Sequence, residues 1–288
     1  MKKRTVGVLL AAFFAMALTG CGDKQPQPGE VKGYDKGEEY LSIWVHSIED
    51  TEEGQCYRKS VDAFNKKYDG KYFADIEFIP RNDSGGGYSD KINDGPNIAA
   101  YAENGIIQPL AKLTDEEKSV YLDSIIQQGT YNNKLYALGA MESSVGLYYN
   151  KDILAEAGVE VPDADHPWTW SEFTEVLKKV QPVVEKKKGY ALDMTFPTGE
   201  ATIYYYAPFF WSNGGDFVSK DGLKVNGVFN SKENLETVNY FKSFLDNGYM
   251  SKVQITDLFE SGRAAFKFDG AWEANTIYNN YPDVNLGV

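Results

Sequence analysis

Twenty Tyr and five Trp stand in this chain beside 42 Asp and Glu. That mix suits a ligand covered in hydroxyls. Carboxylates and amides accept from or donate to hydroxyls, and Trp and Tyr offer flat apolar faces at little entropic cost. Cores and interfaces use the same aromatics, so composition alone assigns nothing. The catalytic sets are thin. The two histidines, His46 and His166, lie far apart, and no Cys/His cluster shows metal-ligand spacing. Hence no metal and no cofactor is expected. No Ser-His-Asp order with a nucleophile elbow is present. The glycine-rich stretch 82–87 lacks the Lys-Ser/Thr of a phosphate cradle and reads as a loop. A carboxylate pair for glycoside hydrolysis can always be drawn from this many acids.

Cys21 is the other reactive position. Lys2, Lys3 and Arg4 precede an apolar run from Val6 to Leu18, and Leu18-Thr19-Gly20 offers small residues before the cysteine. This is the layout of an export signal. The run falls short of the roughly 20 apolar residues of a spanning helix. Leu-Thr-Gly-Cys resembles a bacterial lipobox, which implies cleavage after residue 20 and lipid on the Cys21 sulfur. Two acyl chains suffice for stable anchoring. The alternative is an ordinary signal with a chance cysteine. Residues 21–38 hold almost nothing apolar and read as a tether. Removing residues 1–20, with three basic and no acidic residues, leaves 268 residues and moves the net charge from −13 to −16. Such a chain is a poor partner for nucleic acid. Cys56 is then a lone thiol, expected half-buried near a helix start, with no internal disulfide to make.

The body alternates strands and helices. Tyr40 to Val45 reads as a strand, and Tyr57, Val61, Phe64 and Tyr68 give one helical face. Ala74 to Ile79 reads as a second strand, so a βαβ start and a helix-covered sheet are expected. Thr169-Trp170-Ser171-Glu172 spells a capping box, followed by a stripe of Phe173, Val176, Leu177 and Val180. Asn230 and Glu233 suggest a second box, with Leu235, Val238, Phe241 and Leu245 as its buried stripe. Ala264 to Phe268 reads as a strand after a turn at Ser261-Gly262.

Five stretches in order resemble the family-1 extracellular solute-binding proteins, the sugar receptors of ABC importers of maltodextrin-binding type. They are Asp94-Gly95-Pro96-Asn97-Ile98-Ala99-Ala100-Tyr101-Ala102-Glu103-Asn104-Gly105; Leu147-Tyr148-Tyr149-Asn150-Lys151-Asp152; Trp168-Thr169-Trp170-Ser171-Glu172-Phe173; Trp211-Ser212-Asn213-Gly214-Gly215-Asp216; and Phe259-Glu260-Ser261-Gly262-Arg263-Ala264-Ala265, which leads to Gly270-Ala271-Trp272. The resemblance covers Tyr40 to Val288. It implies an α/β, two-lobed periplasmic-binding-protein fold (type II-like), with a first lobe at 39–142 and a second at 143–288. Two departures stand out. About a dozen residues with a strand are missing before Asp94, so the first lobe would lack its return segment. At Val288 the family continues for roughly another hundred residues, so the second lobe is expected to be incomplete at the C-terminus.

The resemblance also implies a site. Trp272 would stack on sugar, with a core position as its alternative. Trp211 is open between cleft and core, and Asp216 ends its motif. Of Tyr204, Tyr205 and Tyr206, which cannot all face one way, Tyr204 is placed toward ligand. Glu142 would lie at the crossing between lobes, or be a plain solvated acid. Asp94 and Asn97 open a helix and would cap it or touch ligand. His46 and Glu49 follow the first strand, where cleft residues often sit in α/β lobes. The function implied is a monomeric receptor, held on the outer face of the bacterial cytoplasmic membrane by lipid on Cys21. It would deliver a sugar or oligosaccharide to ABC permease subunits by hinged closure, with no catalysis. The alternatives are a secreted glycosidase with paired carboxylates and a lipoprotein peptide receptor or adhesin.

Overall fold

The computed structural model describes residues 31–35, 37–79, 95–194 and 200–288. Cys21 with its signal, most of the tether, the stretch 82–87 and Asp94 lie outside the described residues. The chain divides into two units. One runs to Lys118 and takes in Ile126–Ala137; the other comprises Ser119–Ile125 and Leu138–Val288.

In the first unit, strand β1 (Glu39–Val45) runs parallel to β2 (Tyr72–Phe78), with helix α1 (Glu52–Lys67) between them in sequence. Thr51 starts the helix by accepting from the Gly54 amide at 3.0 Å. Tyr57, Val61 and Phe64 pack onto Val45, Ala74 and Ile76, so the expected βαβ beginning forms around one apolar cluster. Cys56 departs from expectation and is exposed. One residue away from Tyr57, it falls about 100° off the buried stripe. A 3-10 turn (Gly95–Asn97) leads into α2 (Ile98–Glu103). Helices α3 (Asp115–Ser119) and α4 (Asp123–Gln128) straddle the divisions between the units. Strands β3 (Thr130–Tyr131) and β4 (Lys134–Leu135) make a hairpin of the first unit. Its turn residues Asn132 and Asn133 take φ of 46° and 60°. A two-residue hairpin needs this left-handed pair, and Asn tolerates it.

The second unit is built on a sheet of order β6-β7-β5-β8, from β5 (Val145–Asn150), β6 (Tyr190–Met194), β7 (Ala264–Gly270) and β8 (Leu286–Gly287). Strand β7 is parallel to β6 and antiparallel to β5, pairing Lys267 with Asp193 and Tyr148, and Phe268 with Met194 and Leu147. Alternation then separates the two faces. Leu147, Tyr149, Leu192, Met194, Phe266 and Phe268 join one large apolar cluster. Tyr148, Asp193 and Lys267 fall on the other face.

Helices α5 (Lys151–Glu156), α6 (Trp170–Glu185) and α8 (Lys232–Asp246) supply buried residues to the large cluster. The capping box at α6 is complete: the Thr169 hydroxyl accepts from the Glu172 amide, and Glu172 accepts from the Thr169 amide at 2.8 Å. Val176, Leu177 and Val180 are buried as the spacing predicts. Gly158 and Gly248, two residues past the ends of α5 and α8, take φ of 65° and 70°, the left-handed value open to glycine.

Helix α8 corrects the sequence reading. Ser231, not Asn230, caps it by accepting from the Asn234 amide, while Asn230 accepts from the Gly227 amide. The fully buried positions are Asn234, Thr237 and Phe244, and Phe241 and Leu245 of the expected stripe pack against the large cluster. Leu235 and Val238 are exposed, at 61% and 50%. Helix α7 (Glu200–Ser212) carries the tyrosine triplet, and α9 (Trp272–Asn280) follows β7 after one residue. No helix among the described residues is long and apolar enough to cross a membrane.

Candidate functional site

Strand β7 ends at Gly270, and Trp272 is the first residue of α9. The indole lies flat over the strand end. A Cβ on Gly270 would sit 2.1 Å from Trp272 Cη2, so only glycine admits this ring position. Trp272 nevertheless keeps 49% of its surface exposed. Of its two expected places, stacking surface or core, the structure gives it an open face.

Tyr204 lies parallel to that indole, with ring centroids 6.0 Å apart and 22° between planes. Its hydroxyl is 3.0 Å from the Ser143 hydroxyl. The Ser144 carbonyl accepts from the Ala271 amide at 3.0 Å, tying this segment to the start of α9. Glu142, one residue before Ser143, is exposed and accepts from the Ser124 hydroxyl at 3.1 Å. The second unit thus gathers an aromatic shelf and a hydroxyl pair from α7, α9 and the segment before β5, while the Glu142 carboxylate is held by Ser124. A sugar would find here a flat apolar face beside hydroxyl partners.

The other tyrosines divide as helical geometry requires. Tyr206 packs edge-on against Phe241 at 5.0 Å, and burial pushes its hydroxyl up to about 12. Tyr205 donates to Asp269 Oδ1 at 2.8 Å. Burial first, then that hydrogen bond, holds its hydroxyl far above the ordinary tyrosine range.

Beneath the shelf lies a network that sequence reading missed. Lys267 is 13% exposed at its side chain and bonds Glu260, and Glu273 at 2.7 Å, with Asp269 at 3.5 Å. Asp193 faces it from β6 and accepts from the Phe259 amide at 3.3 Å. Burial alone would lower the Lys267 ammonium, yet its bonds to Glu260 and Glu273 hold it well above the usual lysine range. Burial and the hydrogen bond with Glu260 raise Glu273. Against burial, the hydrogen bonds to Glu273 and Lys267 lower Glu260. The pair's last proton therefore favours Glu273. These groups line a polar pocket of about 310 Å³.

Burial pushes the Asp193 carboxyl up to about 6, against the pull of Lys267. An acid raised on folding contributes stability that is present below its unfolded value and lost as pH rises through about 6. Asp193→Asn is therefore expected to match the parent near pH 4 and to exceed it by up to about 3 kcal/mol at pH 7.5. Urea unfolding across that range measures the difference. Parallel pH profiles would contradict it.

The other expected site residues make contacts within their own units. Trp211 is 57% exposed, two turns beyond Tyr204 on α7. It turns to Asp216 (3.3 Å) and Phe217, and Asp216 also accepts from the Phe217 amide at 2.8 Å. In the first unit, Glu49 is paired with Arg58 at 2.7 Å, and half-buried His46 follows β1. Asn97 begins α2 without a side-chain capping bond, so its capping alternative is not realised. A hollow of about 370 Å³ elsewhere in the second unit is lined by Trp168, Trp170, Phe209, Phe173 and Phe268 among others. It offers too few hydroxyl partners to be a sugar site.

A profile of the bacterial extracellular solute-binding proteins matches residues 59–288. The chain belongs to this family. As a solute-binding protein it resembles the galactooligosaccharide-binding protein of Bacillus subtilis (strain 168), at 25% identity over 100% of this chain and 67% of that protein. It resembles the maltodextrin-binding protein MdxE of the same organism at 23% identity, over 99% and 66% of the two chains. A binding protein of Brucella abortus (strain 2308) is 26% identical over 65% of this chain and 45% of its own length, so this chain spans less than half of that relative. Among solved structures, the cyclic alpha-maltosyl-1,6-maltose binding protein from Arthrobacter globiformis superposes with a TM-score of 0.65 at 18% identity, over 87% of this chain and 65% of that one. A cyclo/maltodextrin-binding protein complexed with maltotetraose gives 0.63 at 22% identity, over 86% and 64%. These structures show the α/β periplasmic-binding-protein fold. The relatives are named for binding.

Proposed function

We propose that this chain is the carbohydrate-binding receptor of an ABC importer, taking a sugar or oligosaccharide. The observation that carries the reading is the near-parallel Trp272–Tyr204 pair, open at Trp272, with the Ser143 hydroxyl at its edge. Relatives named for galactooligosaccharides, arabinooligosaccharides and maltodextrin support it. Sugar C–H faces would lie on the rings, and hydroxyls would meet Ser143 and Glu142. Binding by such a surface needs no bond to be broken, so the protein acts as a receptor and not as an enzyme. The export signal and Cys21 support lipid anchoring on the outer membrane face, which would hold a monomeric receptor near its permease and raise its local concentration there.

Calorimetric titration tests the reading with galactooligosaccharide, arabinooligosaccharide, maltotetraose and a tripeptide. At least one sugar is expected to bind at a single site and to be recovered intact. Peptide binding without sugar binding, or turnover of any sugar, would overturn it.

A further inference from the structure

Trp272 is 49% exposed and Tyr204 is half-buried, and an aromatic ring with an open face is ordinarily free to change rotamer. Here something holds both. The Tyr205 ring stands nearly perpendicular to each, 88° and 5.5 Å from Tyr204 and 82° and 6.5 Å from Trp272. It forms the spine against which the two parallel rings are set. Tyr205 is held in turn at its far end, where its hydroxyl donates to Asp269 Oδ1 at 2.8 Å. The same carboxylate accepts from the Gly270 amide at 2.7 Å and lies 3.5 Å from Lys267 Nζ, so it has little freedom. Lys267 also bonds Glu273, the residue after Trp272.

We propose that Asp269 and Tyr205 are positioning residues of the sugar shelf: neither needs to touch the ligand, and together they fix the rings that do. The proposal rests on the receptor reading for its ligand, and on geometry alone for the ordering of the rings. Rings ordered before binding spare the ligand the cost of ordering them.

The test uses the protein with 5-fluorotryptophan at its five Trp positions, the Trp272 fluorine signal being assigned by its loss in Trp272→Phe. In Tyr205→Phe, which removes only the hydroxyl, the Trp272 signal is expected to shift or broaden while those of Trp44, Trp168, Trp170 and Trp211 stay. The dissociation constant for the sugar identified by calorimetry should rise about three- to tenfold. Asp269→Ala, which removes the acceptor, should move the Trp272 signal as Tyr205→Phe does, whereas Asp269→Asn keeps an oxygen facing the hydroxyl and should restore it. In a Trp272→Phe background, Tyr205→Phe should weaken binding less than it does alone. An unmoved Trp272 signal in Tyr205→Phe, or an undiminished affinity loss in that background, would overturn the proposal. Should no sugar bind, the receptor reading fails, and the fluorine signals still decide whether Tyr205 and Asp269 order the rings.

Discussion

Trp272→Ala is expected to weaken sugar binding about a hundredfold while lowering unfolding free energy by about 2 kcal/mol. The contrast follows from where the ring sits. Its open half faces solvent and is free for a ligand, whereas the buried half contacts Tyr204, Tyr205 and the Gly270 backbone. A central aromatic anchor at a binding surface commonly costs 2 kcal/mol or more when truncated, roughly thirtyfold or greater in affinity. Its ring pairs with two tyrosines are each worth about 0.5–1.5 kcal/mol beyond buried area, and part of that returns as the neighbours relax. Calorimetry and urea unfolding on the same preparation separate the two effects. A variant that loses several kcal/mol of stability would make Trp272 a core residue. One that binds as well as the parent would remove it from the site.

The second large effect concerns Lys267. Lys267→Ala is expected to cost about 3–5 kcal/mol of unfolding free energy at pH 7, the usual penalty for stranding buried charge. One cation there answers Glu260, Glu273, Asp269 and Asp193 on a covered sheet face. Without it those acids repel one another where water screens poorly. The penalty should shrink near pH 4.5, because acids freed of the ammonium protonate more readily on folding. Replacing Lys267, Glu260 and Glu273 together by methionine should recover much of the loss, since a buried ion pair is seldom better than apolar packing. Equilibrium urea unfolding of the single and triple variants checks this. A loss below about 1 kcal/mol would mean that water screens the cluster as it does a surface pair.

Local signals in the sequence carried much of the fold. The α6 capping box, the strand pattern of β1, and the glycines after α5 and α8 are each written within a few adjacent residues. Gly270-Ala271-Trp272 was singled out because it follows an expected strand and because the family resemblance implies a stacking Trp there; the close approach at Gly270 and the open ring face are visible only in the fold. The failures have physical causes too. In α8 two capping residues stand side by side, and of the expected stripe Phe241 and Leu245 pack on the core while Leu235 and Val238 face solvent, because apolar spacing alone does not say how many turns of a helix the core covers. The Lys267 network joins Asp193 to Glu273 across 80 positions of chain, and no local period reports that. One signal was available: a lysine inside the apolar run Ala264-Ala265-Phe266-Lys267-Phe268 must find a buried partner. The bond from Tyr205 to Asp269 spans 64 positions and left no trace at all.

The central claim is that a sugar lies on Trp272 and Tyr204. Hydroxyl-radical footprinting of the protein, free and saturated with a sugar shown by calorimetry to bind, tests it directly. Oxidation of Trp272 and Tyr204 is expected to fall severalfold on saturation, while that of Tyr278, exposed on the same helix as Trp272, is unchanged. Trp272 oxidised at its free rate with sugar bound would contradict the account.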